Sequence, residues 1–245
     1  MMRIPSRLAV VLVAGGLATF PACASSVEPT SNDVAPAQPV RAELWGFDDG
    51  AAGAVPPGFR AGLTGGGPPV DWQVLEVADA PSGGKVVAQL SDDVTNRRFP
   101  LLVLDDFEAR DVDLEVRFKT IAGEVDASGG LVFRYQDDGN YYVVRANSLE
   151  GNVVAYKAEK GKRSNIGVKG RGSAYGVDVE VPHREWNSLR VVARGTLCEV
   201  FLNGRKLFEV EDDTFQDAGK IGLWTKADAV THFDDLRVAS LDPDD

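Results

Sequence analysis

The sequence predicts an all-β fold, a two-sheet antiparallel jelly-roll sandwich, and three observations predict it. First, residues 111–120, DVDLEVRFKT, alternate without a fault: Val112, Leu114, Val116 and Phe118 take one face, and Asp113, Glu115, Arg117 and Lys119 the other. That two-residue period is the mark of a half-buried strand. Second, similar short runs recur at 72–77, 85–90, 100–104, 130–136, 141–147, 152–158, 187–194, 197–202, 221–225 and 231–238, with Gly, Asn and Asp between them. Third, no segment sustains a 3.6-residue apolar period. Many short strands separated by turn residues build sandwiches and jelly rolls.

Ahead of the strands, residues 1–23 read as an export signal, with Arg3 and Arg7 before a short apolar run interrupted by Gly15 and Gly16. That run is too short to span a bilayer, which takes about 20 apolar residues. Two processing routes compete at its end. Ala22-Cys23-Ala24 fits ordinary small-x-small cleavage, whereas Ala22 before Cys23 resembles a bacterial lipobox, in which Cys23 is lipidated. The Ser-, Pro-, Ala- and Thr-rich stretch over 24–42 suits a flexible tether and favours the lipoprotein. Ala24 after the cysteine implies, by that resemblance, the outer membrane; the alternative destination is periplasmic or secreted. Any contact with a membrane is expected only through this lipid anchor.

The chain carries 26 Lys and Arg against 37 Asp and Glu, a net charge of −11 that becomes −13 once Arg3 and Arg7 leave with the signal. So acidic a surface repels nucleic acid, which is excluded as a partner. Beyond Cys23 the only cysteine is Cys198, so no disulfide can staple the fold. Cys198 alternates with Val200 and Leu202 and is expected as a buried thiol. About 200 residues follow the tether without a second linker, enough for one large β domain over 43–241, followed by an acidic tail at 242–245.

Turn chemistry sets the expected registers. Asn203-Gly204 is the pair that tolerates positive φ at both positions of a two-residue hairpin. Asp138-Gly139 is read the same way, pairing residues whose numbers sum to 277. Leu131, Phe133, Tyr135, Tyr142, Val144 and Ala146 then share an apolar face; Arg134, Gln136, Tyr141, Arg145 and Asn147 share a polar one. At Glu150-Gly151-Asn152 a three-residue loop with left-handed Gly151 puts Val154 and Tyr156 in the core and Lys157 on the polar side, avoiding a buried lysine.

Taken together, GLVFRYQDDGNYYVVRAN, VVAYKAEKGKR, EWNSLRVVARGTLCEVFLNGRKLFEVEDDTF and AGKIGLWTKADAVTHFDDLRV resemble the laminin-G-like domains of bacterial exported proteins, within the concanavalin A-like lectin and glucanase superfamily. More loosely they resemble the 3-keto-disaccharide hydrolase domain. The resemblance implies the jelly-roll fold and leaves function open, because lectins, glucanases, lyases and adhesive modules share this scaffold.

The candidate ligand site is the polar hairpin face: Arg134, Gln136, Tyr141, Arg145, Asn147 and Lys157. Aromatic rings stack on the apolar face of a sugar, and Arg, Asn and Gln hydrogen-bond its hydroxyls. The expected partner is a carbohydrate and the expected function a non-catalytic, extracytoplasmic carbohydrate-binding module. The alternatives are a glycoside hydrolase or lyase on the same scaffold, with Glu115 and His232 as candidate catalytic groups beside Arg145 and Tyr141, or a protein-binding adhesion module. Glu115 belongs to Asp111, Asp113 and Glu115, a spacing that resembles a glucanase carboxylate strand; cross-strand pairing with Arg190 and Arg194 explains the same charges. FDDG and FDDL place Asp48, Asp49, Asp234 and Asp235 near the two chain ends. If first and last strands lie side by side, these oxygens form a candidate structural Ca²⁺ site. His183 is expected as a surface group in a loop.

Overall fold

The structure is a computed structural model that describes residues 41–241. The signal, Cys23, most of the tether and the acidic tail lie outside the described residues. In chain order the strands are β1 (Arg41–Trp45), β2 (Phe59–Thr64), β3 (Trp72–Glu76), β4 (Lys85–Gln89), β5 (Phe99–Ala109), β6 (Val112–Ala122), β7 (Ser128–Asp137) and β8 (Asn140–Asn147). They continue as β9 (Asn152–Glu159), β10 (Lys162–Asn165), β11 (Val177–Asp178), β12 (Asn187–Arg194), β13 (Leu197–Leu202), β14 (Arg205–Glu211), β15 (Gly219–Trp224) and β16 (Val230–Ser240).

Two antiparallel sheets result, as expected. The first runs β14-β13-β12-β6-β16-β4-β3, with β1 beside β16; the second runs β10-β9-β8-β7-β15-β5-β2, with β11 beside β9. First and last strands do lie together, with Trp45 opposite Leu236. The alternation in β6 holds: Val112, Leu114, Val116 and Phe118 are buried between the sheets with Val191, Phe233, Leu131, Val144 and Leu223. Each such side chain contributes roughly 1.5–3 kcal/mol of burial. Gly129 makes room at the centre, where an added Cβ would lie 2.9 Å from the Phe118 ring and 3.1 Å from Phe233.

The second sheet curls. Arg163 on β10 reaches within 4.9 Å of the Phe99 ring on β5, although β9, β8, β7 and β15 lie between them in the sheet. In a flat sheet those strands would be about 24 Å apart. Thr64 of β2 likewise meets the Tyr141 hydroxyl of β8 at 2.7 Å. The hollow of this curl holds a second core of Phe99, Leu101, Val103, Val132, Tyr135, Tyr141, Val143, Val154, Tyr156, Ala158 and Trp224.

Two expected registers are corrected here. Asp137 pairs with Asn140 as the sum of 277 requires, but a bulge intervenes, and Phe133 pairs with Tyr142 and Leu131 with Val144. The bulge centres on Arg134, whose φ is 47°. It is admitted by the neighbouring strand, where a Cβ on Gly219 would lie 2.6 Å from the Arg134 carbonyl carbon. The irregularity turns Tyr135 away from the inter-sheet core and Arg134 into its edge. Neither Asp138 nor Gly139 adopts positive φ. Asp137 instead caps the turn through the Gly139 N–H, at 2.7 Å, and Gly139 is small because the Gly161 backbone packs on it. Beyond β8 the turn is four residues, 148–151, closed by the Asn147–Asn152 pair with Gly151 at φ 62°. One residue more than expected reverses β9, so Val154 and Tyr156 face the hollow and Lys157 the inter-sheet edge. Asn203-Gly204, with φ of 50° and 76°, forms the turn its sequence predicts.

Candidate functional site

The hollow of the curled sheet is the candidate site. Strand parity puts Tyr141, Arg145 and Asn147 of β8 and Tyr156 of β9 on it, joined by Arg163 of β10. Arg145 is 1% exposed. Its guanidinium donates to Glu150 at 2.6 Å, Tyr175 Oη at 3.2 Å and Tyr156 Oη at 3.3 Å, and to the Asn152 side-chain oxygen. The two tyrosine hydroxyls also hydrogen-bond each other. Burial alone would lower the Arg145 pKa, but Tyr156 and Glu150 outweigh it and hold it above the ordinary arginine value. Glu150 shows the reciprocal effect: partial burial would raise its pKa, and Arg145 brings it below the usual range. Tyr156, mainly through burial, is pushed up to about 12 and stays a proton donor at neutral pH.

This network is fixed from below and open at its rim. Tyr175, in the glycine-rich segment after β10, is 50% exposed, and Glu150 is exposed beside it. On the far side of Tyr156, Arg163 sits 4.2 Å from that ring and 4.9 Å from Phe99, over a cleft of about 420 Å³ lined by Arg97, Phe99, Gly161, Lys162 and Arg163. Three buried donors of the hollow lack a hydrogen-bond partner: Arg145 Nε, Asn147 Nδ2 and Arg163 Nη1.

The six residues predicted to form one polar face are divided by the bulge and the longer turn. Tyr141, Arg145 and Asn147 reach the hollow, but all three are buried; Asn147 accepts from the backbone N–H groups of Leu149 and Glu150 and so caps its own turn. Arg134 leaves the set. It is 2% exposed and clamps turns at the sandwich edge, donating to the carbonyls of Arg110 at 2.8 Å, Phe215 at 2.9 Å and Gly195 at 2.5 Å and to Asp111 at 3.2 Å. Lys157 leaves as well, bonded to Asp212 and Thr214 at 2.6 Å each. Gln136 is exposed and bonds the Ala218 carbonyl at 2.9 Å. Glu150, Tyr156, Arg163 and Tyr175 were missed. The available signal was a lone aromatic, Tyr175, within a run of glycines.

Glu115 and His232 lie on the outer face of the other sheet, away from the hollow. Glu115 pairs with Arg237 at 3.5 Å, and Asp113 takes a bidentate bond from Arg190 at 2.7 and 2.6 Å: the cross-strand lattice that the spacing also allowed. His232 stands beside Lys119, and burial first, then that lysine, lowers its pKa. Cys198 is buried beside a void of about 10 Å³, and burial pushes its thiol up to about 12, which makes it inert at neutral pH.

Where β1 lies beside β16, two of the four aspartates converge. A Cβ on Gly46 would lie 3.4 Å from Asp48 Oδ2 and 3.9 Å from Asp234 Oδ1. Asp235 occupies a bulge in β16 with φ 48°, and among the described residues no three acidic, His or Cys side chains converge as metal ligands. The Lys85 ammonium already takes the carbonyl oxygens of Asp48 at 2.9 Å and Gly50 at 3.0 Å. Asp234, fully buried, accepts from the Ser82 N–H at 3.0 Å, and burial pushes its carboxyl up to about 6.

Fold and topology define a concanavalin A-like jelly-roll sandwich. The profile of the 3-keto-alpha-glucoside-1,2-lyase-like domain matches residues 64–239, and the chain belongs to that family. Among solved structures it is similar to the carbohydrate binding module CBM66 from Bacillus subtilis, with 20% identity over 75% of this chain and 96% of that one and a TM-score of 0.57. Protein SO2946 of Shewanella oneidensis MR-1, of unknown function, is similar at 12% identity, covering 83% and 89%, with a TM-score of 0.51. The cellulose induced protein Cip1 matches at 13% identity, 70% and 85%, with a TM-score of 0.50. Likeness at these identities is likeness of fold. No curated protein matches the sequence significantly.

Proposed function

We propose that the chain is a carbohydrate-recognition domain, held outside the cytoplasm, that takes its glycan at the rim of the hollow in the curled sheet. The observation that carries this reading is the network in which buried Arg145 and Tyr156 fix exposed Glu150 and Tyr175, next to a cleft lined by Arg163 and Phe99. A rigid aromatic ring and oriented donors and acceptors are what a sugar needs: a flat apolar face to stack on and fixed partners for its hydroxyls. The family's description and a carbohydrate-binding structural relative support the same substrate class. Arg145 and Tyr156 are positioning residues here, and Glu150, Tyr175 and Arg163 the contacting ones.

The test is retention on a glycan array. Tyr175→Ala is expected to lose most retention with little change in stability, while Arg237→Ala on the outer face of the other sheet leaves retention intact. Loss in the second variant alone would move the site to that sheet.

The family's description favours a second reading, elimination from a 3-keto-α-glucoside. Glu150 would take the C2 proton, acidified by the C3 ketone; the electron pair would form C1=C2 as the C1–O bond breaks, and the Tyr175 or Tyr156 hydroxyl would protonate the departing oxygen. Turnover that disappears in Glu150→Gln would establish it, and glycan retention without turnover would leave recognition alone. Export through residues 1–23 with lipidation at Cys23 completes the proposal and is read by the mass of the mature N-terminus. A structural Ca²⁺ at Asp48 and Asp234 would lie beside the Lys85 ammonium, which holds the Asp48 and Gly50 carbonyls, and a thermal melt with and without chelator tests it.

A further inference from the structure

The lining of the cleft beside Tyr156 is cationic. Of its five lining residues three are cations, Arg97, Lys162 and Arg163, and none is a carboxylate. Among the described residues none of the three forms an ion pair. Arg60, Arg145, Arg190 and Arg237 each pair with an Asp or Glu, whereas no acidic side chain lies among the residues lining this cleft. Glu159, the strand partner of Lys162, does not line the cleft.

Arg163 is also held in place. Its guanidinium lies against two rings, Phe99 and Tyr156, and its Nη1 is buried without a hydrogen-bond partner. Stacking orients the guanidinium plane without consuming its donors. Arg97 is fixed differently, at φ 60°, with its carbonyl oxygen 1.9 Å from where a Cβ on Gly65 would stand. The volume of about 420 Å³ lies within the range of roughly 300–1,000 Å³ typical of small-ligand sites.

We infer that this cleft is an oxyanion subsite, so that the glycan taken at the hollow is an acidic one, bearing a carboxylate or a sulfate ester that Arg163, Arg97 and Lys162 receive. A guanidinium that forms no ion pair and whose plane is fixed by two rings matches a planar carboxylate bidentately and a sulfate through two of its oxygens. The inference rests on the carbohydrate reading above and names its substrate class.

Calorimetric titration of the full chain with three hexasaccharides tests it: an oligogalacturonate, a chondroitin sulfate and uncharged maltohexaose. At least one acidic ligand is expected to bind about tenfold or more tightly than the neutral one, and to weaken severalfold between about 0.05 M and 0.3 M NaCl as screening grows. Which acidic ligand wins distinguishes carboxylate from sulfate. Arg163→Gln, and separately Arg97→Gln at an exposed position that folding tolerates, should each remove most of the preference. Equal or better binding of maltohexaose, or an acidic preference that survives both variants, overturns the inference and leaves the carbohydrate reading standing. Failure of all three hexasaccharides and of the wider array overturns both.

Discussion

Replacing Arg134 with Met separates fold from function, because the same residue serves opposite purposes in the flat and the curled description of the second sheet. In the structure its guanidinium ties the β5–β6 turn, the β12–β13 turn and the segment after β14 through three carbonyls and Asp111. Hydrogen bonds to a charged donor contribute about 1.5–3 kcal/mol each, but the desolvation of a buried guanidinium offsets part of their sum. Removing one partner of a buried ionic network typically costs about 3–5 kcal/mol, and methionine leaves the carbonyls unpaired, so that range applies here. Urea unfolding followed by tryptophan fluorescence reads it. With a denaturant slope of about 2–3 kcal/mol per molar, the midpoint should fall by about 1–2.5 M, while glycan retention by the folded fraction stays at the level of the unchanged protein. A midpoint that moves by less than about 0.5 M, or retention lost at full stability, would refute the clamp and return Arg134 to the ligand face.

Gly219→Ala should destabilise by about 1–3 kcal/mol in the same assay, because its Cβ would enter the Arg134 bulge, whereas Gly66→Ala, with open space around it, should be neutral. Asp212 has its carboxyl brought down to about 2: burial would raise it, and bonds from Lys157, Thr214 and Tyr142 more than reverse this. Its depressed value means stability present above pH ~4 and lost as pH falls toward 2, about 2 kcal/mol in all, and Lys157→Met should remove much of that acid dependence. Asp234 has the opposite sign. With its pKa raised to about 6 by burial, stability should decline as pH rises from about 4 to 6, and Asp234→Asn should flatten that slope. Chelator should leave the melting midpoint unmoved if Lys85 is the cation of the Asp48 turn, and a downward shift would establish a bound metal there.

What the sequence made legible was local. The faces of β6 follow from its alternation, the β13–β14 turn from Asn203-Gly204, and the pairing of Asp113 with Arg190 from charges on facing strands. The candidate site was less legible because its registers depend on distant residues. The bulge at Arg134 has no turn residue of its own; the glycine that permits it, Gly219, lies on another strand. One extra residue in the turn over 148–151 exchanged Tyr156 with Lys157, since a strand reverses its faces at every single-residue shift. The curl that buries Tyr141 and Arg145 belongs to the whole sheet, and nothing in β8 itself announces it. Arg145, which the sequence suggests as a ligand contact, is a buried support with exposed neighbours, a distinction only the three-dimensional packing supplies.

Backbone amide shifts recorded while a retained glycan is added to the labelled protein would locate contact without any substitution. Binding at the hollow predicts changes gathered at Phe99, Glu150, Tyr156, Arg163 and Tyr175, with Asp113, Glu115 and Arg237 undisturbed. Changes gathered on those last three, with the curled sheet silent, would contradict the placement of the site.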